Sequence, residues 1–170
     1  MNTTSPIIRY KQKLMSSIIN SPELISLLDK RYVVNGECVD VDEGLVYKQI
    51  FPFYYIPDTQ TEKLSYIILK VDGLGIRNKL YNKAKVCICV ISHQDCMKVE
   101  NGRGTRIDLM AEIIEDMFNG RDDFGFGEME LKTNIESSIN DKHRCRILDF
   151  VVEDFNANAC KNSWRKTFNT

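Results

Sequence analysis

The chain has 170 residues, 43% of them hydrophobic and 28% charged, with a formal net charge of −1. These are the values of about one globular domain, and they argue against wholesale disorder and against a strongly basic nucleic-acid-binding protein. The N-terminus lacks the apolar segment of a secretion signal, and no apolar run reaches the roughly 20 residues of a membrane span. We therefore expect a protein made in a reducing cytoplasm, without a membrane partner and with free cysteine thiols.

Two Ser-Pro pairs mark helix starts near the beginning of the chain. Ser5-Pro6 opens a segment with apolar residues on one helical stripe, and Ser21-Pro22 opens a shorter helix. The stripe consists of Ile7, Tyr10, Leu14 and Ile18. We expect three parts along the chain: an N-terminal helical segment and connector (1–45), an α+β core domain (46–156) and a basic C-terminal tail (157–170).

The centre of the chain predicts two strands. In LSYIILKVDG, the apolar residues Ile67, Leu69 and Val71 alternate with polar ones. In VCICVISH both faces are apolar, which is typical of a central strand covered on each side. We expect Cys87 and Cys89 to be buried and unpaired, since their spacing differs from that of zinc-binding knuckles. No metal or cofactor is expected.

GTRIDLMAEIIEDMFNG is the clearest helix of the chain. Thr105 can cap it with Asp108 as a capping-box partner, and Gly120 suits the position after its end. Four acids face away from the core, either to solvent or, in a ring, to a channel. The expected buried stripe is Ile107, Met110, Ile114 and Met117, flanked by Ala111 and Phe118, and the acids are Asp108, Glu112, Glu115 and Asp116.

Two further strands, MELKTNIESS and RCRILDFVVEDF, follow a glycine-containing turn. Strands on both sides of one long helix indicate a two-layer arrangement. The predicted fold class is α+β: a mixed, mostly antiparallel sheet packed on one long helix, with N-terminal helices.

One catalytic alternative rests on IPD and EMELK. Asp58, Glu130 and Lys132 match the residue types of a magnesium-dependent nuclease, in which carboxylates hold the ion and lysine orients the attacking water. Such short motifs also arise by chance. We favour a loop carboxylate and a solvated strand face, and we expect no enzymatic activity.

The segments IFPFYYIPDTQTEKLSYIILKVD, VCICVISHQDCM, GTRIDLMAEIIEDMFNG, FGFGEMEL and RILDFVVEDFN resemble neck and tail-completion proteins of long-tailed bacteriophages, above all tail terminators. The resemblance covers Ile50 to Asn156. It rests on core and turn residues, such as Ser92-His93-Gln94, and on no catalytic signature.

The resemblance implies a structural virion protein at the head–tail junction. Its partners would be other copies of itself in a ring, generally of six subunits in this family, the tail tube protein that the ring caps, and the head-completion or connector proteins. Another neck component, such as a head-completion or stopper protein, is the alternative. The protein would be assembled in the host bacterial cytoplasm and end in the virion.

Three polar segments are candidate contact regions. GLGIRNKLYNKAK and HQDCMKVENGRG are candidate ring or docking loops. The tail places a tryptophan among basic residues, an arrangement that can anchor a partner, although this side chain could instead fold back onto its own subunit. Non-specific contact with phage DNA in a channel is a further expectation. The candidate interface residues are Asn78, Lys79, Tyr81, Lys98, Arg103, Trp164, Arg165 and Lys166.

Overall fold

The structure, a computed structural model, describes residues 6–28, 33–34, 37–38, 44–56, 63–76, 81–99 and 103–155. Three α-helices and seven strands lie within these ranges. In chain order they are α1 (Pro6–Ile19), α2 (Pro22–Ser26), β1 (Val33–Val34), β2 (Glu37–Cys38), β3 (Ile50–Phe51), β4 (Ser65–Ile76), β5 (Tyr81–His93), α3 (Arg106–Phe118), β6 (Glu130–Ser138) and β7 (His143–Phe155), with a short 3-10 helix at Gln94–Cys96.

Five strands form the main sheet, in the order β3-β4-β5-β7-β6, and β1 pairs with β2 separately. β3 runs parallel to β4, and the other neighbouring strands are antiparallel. The predicted α+β class with a mixed, mostly antiparallel sheet is confirmed. β5 is the central strand, as its two apolar faces predicted, while β3 and β6 form the two edges.

One face of the sheet packs against α1 and α3. Alternation directs Val86, Ile88 and Val90 of β5 into this layer, where all three are fully buried. α1 lies mainly over β4, and α3 lies over β5, β7 and β6. α2 joins the same core through Leu24.

The two helical stripes are confirmed with one correction each. Tyr10, Leu14 and Ile18 of α1 are buried, but Ile7, which lies in the first turn of the helix, is exposed. In α3, Phe118 is fully buried and Met117 only half-buried. Phe118 fills the core against Phe124 and Phe150, so the larger ring takes the inward position.

The ends of α3 follow the predicted caps. The Thr105 hydroxyl accepts a hydrogen bond from the Asp108 amide, and the Asp108 carboxylate accepts one from the Thr105 amide. Gly120 has φ +79°, a conformation that glycine adopts without strain.

The second face of the sheet differs from the prediction for β5. Among the described residues it is covered at one end, where Phe51 and Tyr55 stack over Tyr66 and Ile91. Ion pairs line the other end, including Lys85–Asp149 at 2.8 Å and Lys83–Glu153 at 2.9 Å. Cys87 and Cys89 are therefore half-buried rather than buried, because they lie between these two regions. Both are free thiols, as expected.

GLGIRNKLYNKAK was predicted as a polar connection, but much of it is strand. β4 continues to Ile76 and β5 begins at Tyr81, with Gly73 paired to Ala84. Its polar residues are compatible with strand structure because this end of the second face is a surface of ion pairs.

The turn before β6 belongs to the core. Phe124 is buried against Tyr10 and Phe118. Gly125 lies so close to β7 that a Cβ atom would overlap the Glu153 carbonyl oxygen. The turn thereby holds α1, α3 and β7 together.

Candidate assembly surfaces

A groove of about 500 Å³ lies between α1 and residues 46–52, at the β3 edge of the sheet. Its lining is mainly apolar, and it includes Ile8, which is 50% exposed, and Tyr47, which is 64% exposed. Lys11 provides a positive charge in the lining. Large exposed apolar side chains grouped in this way mark interaction surfaces more often than scattered ones do.

The wall formed by residues 46–52 is fixed from beneath. The Gln49 side chain is fully buried and donates hydrogen bonds to the carbonyl oxygens of Leu28 and Ser65, the latter at 2.9 Å. Tyr47 has φ +63°, a left-handed conformation that is uncommon for residues other than glycine. The buried anchor therefore holds an exposed tyrosine in a strained conformation.

The aromatic surface continues along the chain after the groove. Tyr47 stacks on Phe53 with ring centroids 6.0 Å apart, and Phe53 contacts Phe51 edge-on at 5.6 Å. Tyr54 and Ile56 are also exposed. We call the groove and this segment together the aromatic edge; it comprises Ile8, Lys11, Met15, Tyr47, Pro52, Phe53, Tyr54 and Ile56. This surface was not predicted from the sequence, although the apolar run IFPFYYIP was its signal.

The opposite edge of the sheet carries an acidic surface. A pocket of about 450 Å³ between α3 and β6 is lined by acids of α3 together with Asn134 and Arg146. Arg146 pairs with Asp108 at 2.8 Å and donates a hydrogen bond to Asn134, and Asn134 in turn donates one to Glu115 at 3.2 Å. Glu112 and Asp116 are exposed at the rim. We call this surface the acidic edge; it comprises Asp108, Glu112, Glu115, Asp116, Asn134 and Ile135.

β6 is the outermost strand of this edge. Ile135 is 55% exposed and lies on the second face, where it pairs in register with Ile147. At the start of β6, Glu130 and Lys132 form an exposed ion pair with each other. Asp58, the third residue of the nuclease pattern, lies outside the described residues, so that alternative stays a prediction.

The predicted interface residues fall into separate places. Lys98 and Arg103 are both exposed and flank the connection that leads into α3, where Lys98 forms a bridge with Thr105. Tyr81 begins β5, whose length separates it from this connection by about 40 Å along the strand. The structure thus does not join the two predicted loops into one surface. Asn78, Lys79, Trp164, Arg165 and Lys166 lie outside the described residues.

Histidine and cysteine side chains lie on the second face of the sheet along β5 and β7. His93 and His143 pair across β5 and β7 with ring centroids 5.1 Å apart. The pKa of His143 is lowered by burial and, to a smaller extent, by the neighbouring side chains of His93 and Lys142. The Cys89 thiol donates a hydrogen bond to Cys145, and this lowers the pKa of Cys145. Burial and the Asp149 carboxylate raise the pKa of Cys87 to about 12.

Within the described ranges, no group of three or more His, Cys, Asp or Glu side chains has an arrangement that would hold a metal ion. The helices in these ranges include none long and apolar enough to span a membrane. The main surface features of the described residues are therefore the aromatic edge and the acidic edge, at opposite edges of one sheet.

Comparison with known proteins places the chain in a family. No curated protein matches it. One family model, YomW, matches residues 21–152, which include α2, α3 and nearly all of the main sheet. Since this match covers most of the chain, the chain belongs to the YomW family, a phage-derived protein family.

Proposed function

We propose that this chain is a structural virion protein of the phage head–tail junction: a ring-forming tail terminator that caps the tail tube and joins it to the head connector. The observation that carries the proposal is the aromatic edge. A protein that acts as an isolated subunit gains nothing from a strained, exposed tyrosine beside an apolar groove, whereas an assembly subunit buries such side chains against a partner.

The sheet suits this function mechanically. β4, β5 and β7 pair over most of their lengths, so the two edges are held at a fixed separation and angle. A fixed angle between two binding edges determines how many copies close a ring. The phage-derived family and the resemblance to tail terminators support the same proposal.

The exposed side chains of Lys98 and Arg103 mark the proposed docking site for a neck or tail partner. The described residues between the 3-10 helix and α3 are held in place, because the Arg106 side chain donates hydrogen bonds to the carbonyl oxygens of Cys96 and Leu27. A loop on a rigid base can be varied for recognition without loss of the fold.

Tube polymerisation tests the proposal. The purified full chain is added to the polymerising tail tube protein of the phage that encodes it, and tube lengths are measured by negative-stain electron microscopy. We expect shorter tubes, each closed at one end by a ring. Lys98→Glu combined with Arg103→Glu should weaken capping while the ring persists.

The controls separate the related neck functions. Asp141→Lys alters an exposed charge in the turn between β6 and β7 and should leave tube length as in the wild type. If the wild-type chain leaves tube length unaltered and its ring binds the head connector, the chain is a head-completion or stopper protein and not a tail terminator.

A further inference from the structure

The two helices at the edges of the sheet carry opposite charges. α1 contains Arg9, Lys11 and Lys13 and no acid. Lys13 pairs with Asp123 in the turn before β6, whereas Lys11 lines the groove of the aromatic edge. The outer surface of α3 presents Glu112, Glu115 and Asp116 to the pocket of the acidic edge. The positive and negative helix surfaces therefore face away from each other, on opposite sides of one subunit.

The apolar side chains are arranged in the same two layers. At the β3 edge, the basic helix α1 lies in the helix layer, and Phe53 and Tyr54 lie beside the sheet. At the β6 edge, the acids of α3 lie in the helix layer, and Ile135 projects from the sheet. When two copies are placed edge to edge in the same orientation, base meets acid in one layer and aromatic meets aliphatic in the other.

We propose that the aromatic edge of one subunit binds the acidic edge of the next copy of the chain, with Lys11 directed at the acidic pocket and Ile135 at the exposed aromatic rings. This contact deepens the proposed function and rests on it. The occupant of the groove is thus a second copy of this chain, in head-to-tail contact.

Charge also selects the head-to-tail arrangement over a twofold one. A symmetric contact between two aromatic edges brings Lys11 against the same basic helix, and one between two acidic edges brings Glu112 and Asp116 against their own copies. Like charges placed together oppose both contacts. A contact between two different edges leaves one free edge at each end and continues until the ring closes.

Two variants with exposed substitutions separate the edges. The aromatic-edge variant carries Ile8→Glu and Lys11→Glu, and the acidic-edge variant carries Glu112→Lys and Asp116→Lys. Each variant should assemble with an affinity at least about tenfold lower than that of the wild type, because each places like charges across the contact. The control Asp141→Lys makes the same kind of charge reversal in the turn after β6, outside the residues that define the two edges, and should assemble normally. Circular dichroism should be used to check that each variant is folded.

Mixing the two variants gives the decisive result, with native mass spectrometry as the readout. In an equimolar mixture every contact can be either wild-type or charge-exchanged, so the mixture should form rings that contain the two variants in equal numbers and in alternation. All four substitutions in one chain should restore assembly, since the charges are then exchanged rather than lost.

The possible failures are distinguishable. A wild-type chain that stays monomeric overturns the ring function and this contact with it. A wild-type ring that persists in either variant overturns the contact alone. An acidic-edge variant that still forms the ring but binds DNA more tightly than the wild type would instead place these acids along the channel.

Discussion

Ile114 lies fully buried at the centre of the contact between α3 and the sheet. Ile114→Ala should lower the free energy of unfolding by about 2–5 kcal/mol, because it removes buried methyl groups and leaves a cavity. Denaturant unfolding measures the loss. The control Leu74→Ala truncates an aliphatic side chain that is 52% exposed and should cost less than about 0.5 kcal/mol. Equal losses in the two variants would contradict the described core.

The reactivity of Cys87 depends on its surroundings. With its pKa at about 12, this thiol has about a thousandfold less thiolate near pH 8 than an ordinary cysteine, so its alkylation in the native state should be slow and in denaturant fast. Asp149→Asn removes a carboxylate that raises this pKa and should speed the labelling of Cys87, followed by peptide mapping. Asp72→Asn, on the same face, is the matched control. Fast labelling of the wild type would contradict the arrangement.

His143 makes folding stability depend on pH. Its pKa in the folded protein lies below the unfolded value of about 6.5, so the unfolded chain binds more protons in mildly acidic solution. The stability from neutral His143 is therefore complete above about pH 6.5 and is lost as the pH falls through the lower, folded pKa. Urea unfolding at several pH values should show this loss, and the free energy of unfolding should depend less steeply on pH in His143→Gln. An equally steep pH dependence in that variant would exclude His143 as its source.

At the scale of elements, the capping box decides where α3 begins. Thr105→Ala removes the hydroxyl that accepts from the Asp108 amide and should cost about 1 kcal/mol of unfolding free energy. Thr105→Ser keeps an equivalent hydroxyl and should retain most of that stability. Thermal unfolding compares the two variants, and an alanine variant as stable as the serine variant would count against the cap.

Most elements were predictable because their signals are local. The Ser21-Pro22 start of α2, the cap at Thr105 and the alternation in β4 each depend on neighbouring residues alone. The predictions were wrong where contacts between distant parts of the chain determine which side chains are buried. Phe118 takes the inward position that Met117 was expected to fill because Phe124 and Phe150 contact its ring, and Cys87 is half-buried because no helix among the described elements covers its face of the sheet.

At the scale of the whole molecule, the assembly surfaces were only partly predictable. The acids of α3 were expected to face away from the core, and Glu112 and Asp116 do so. The groove was not predicted, because it needs Ile8 and Tyr47, which are distant in sequence, on the same side of one sheet edge. Strand order, which places β3 and β6 at opposite edges, cannot be read from local pattern.

The aromatic edge and the acidic edge together are proposed to make the chain a ring subunit. Native mass spectrometry of the purified full chain tests it most directly. We expect one main species whose mass is that of several 19.7 kDa subunits, with six copies expected from the resemblance to tail terminators. A species that remains at 19.7 kDa as the protein concentration is raised would contradict it.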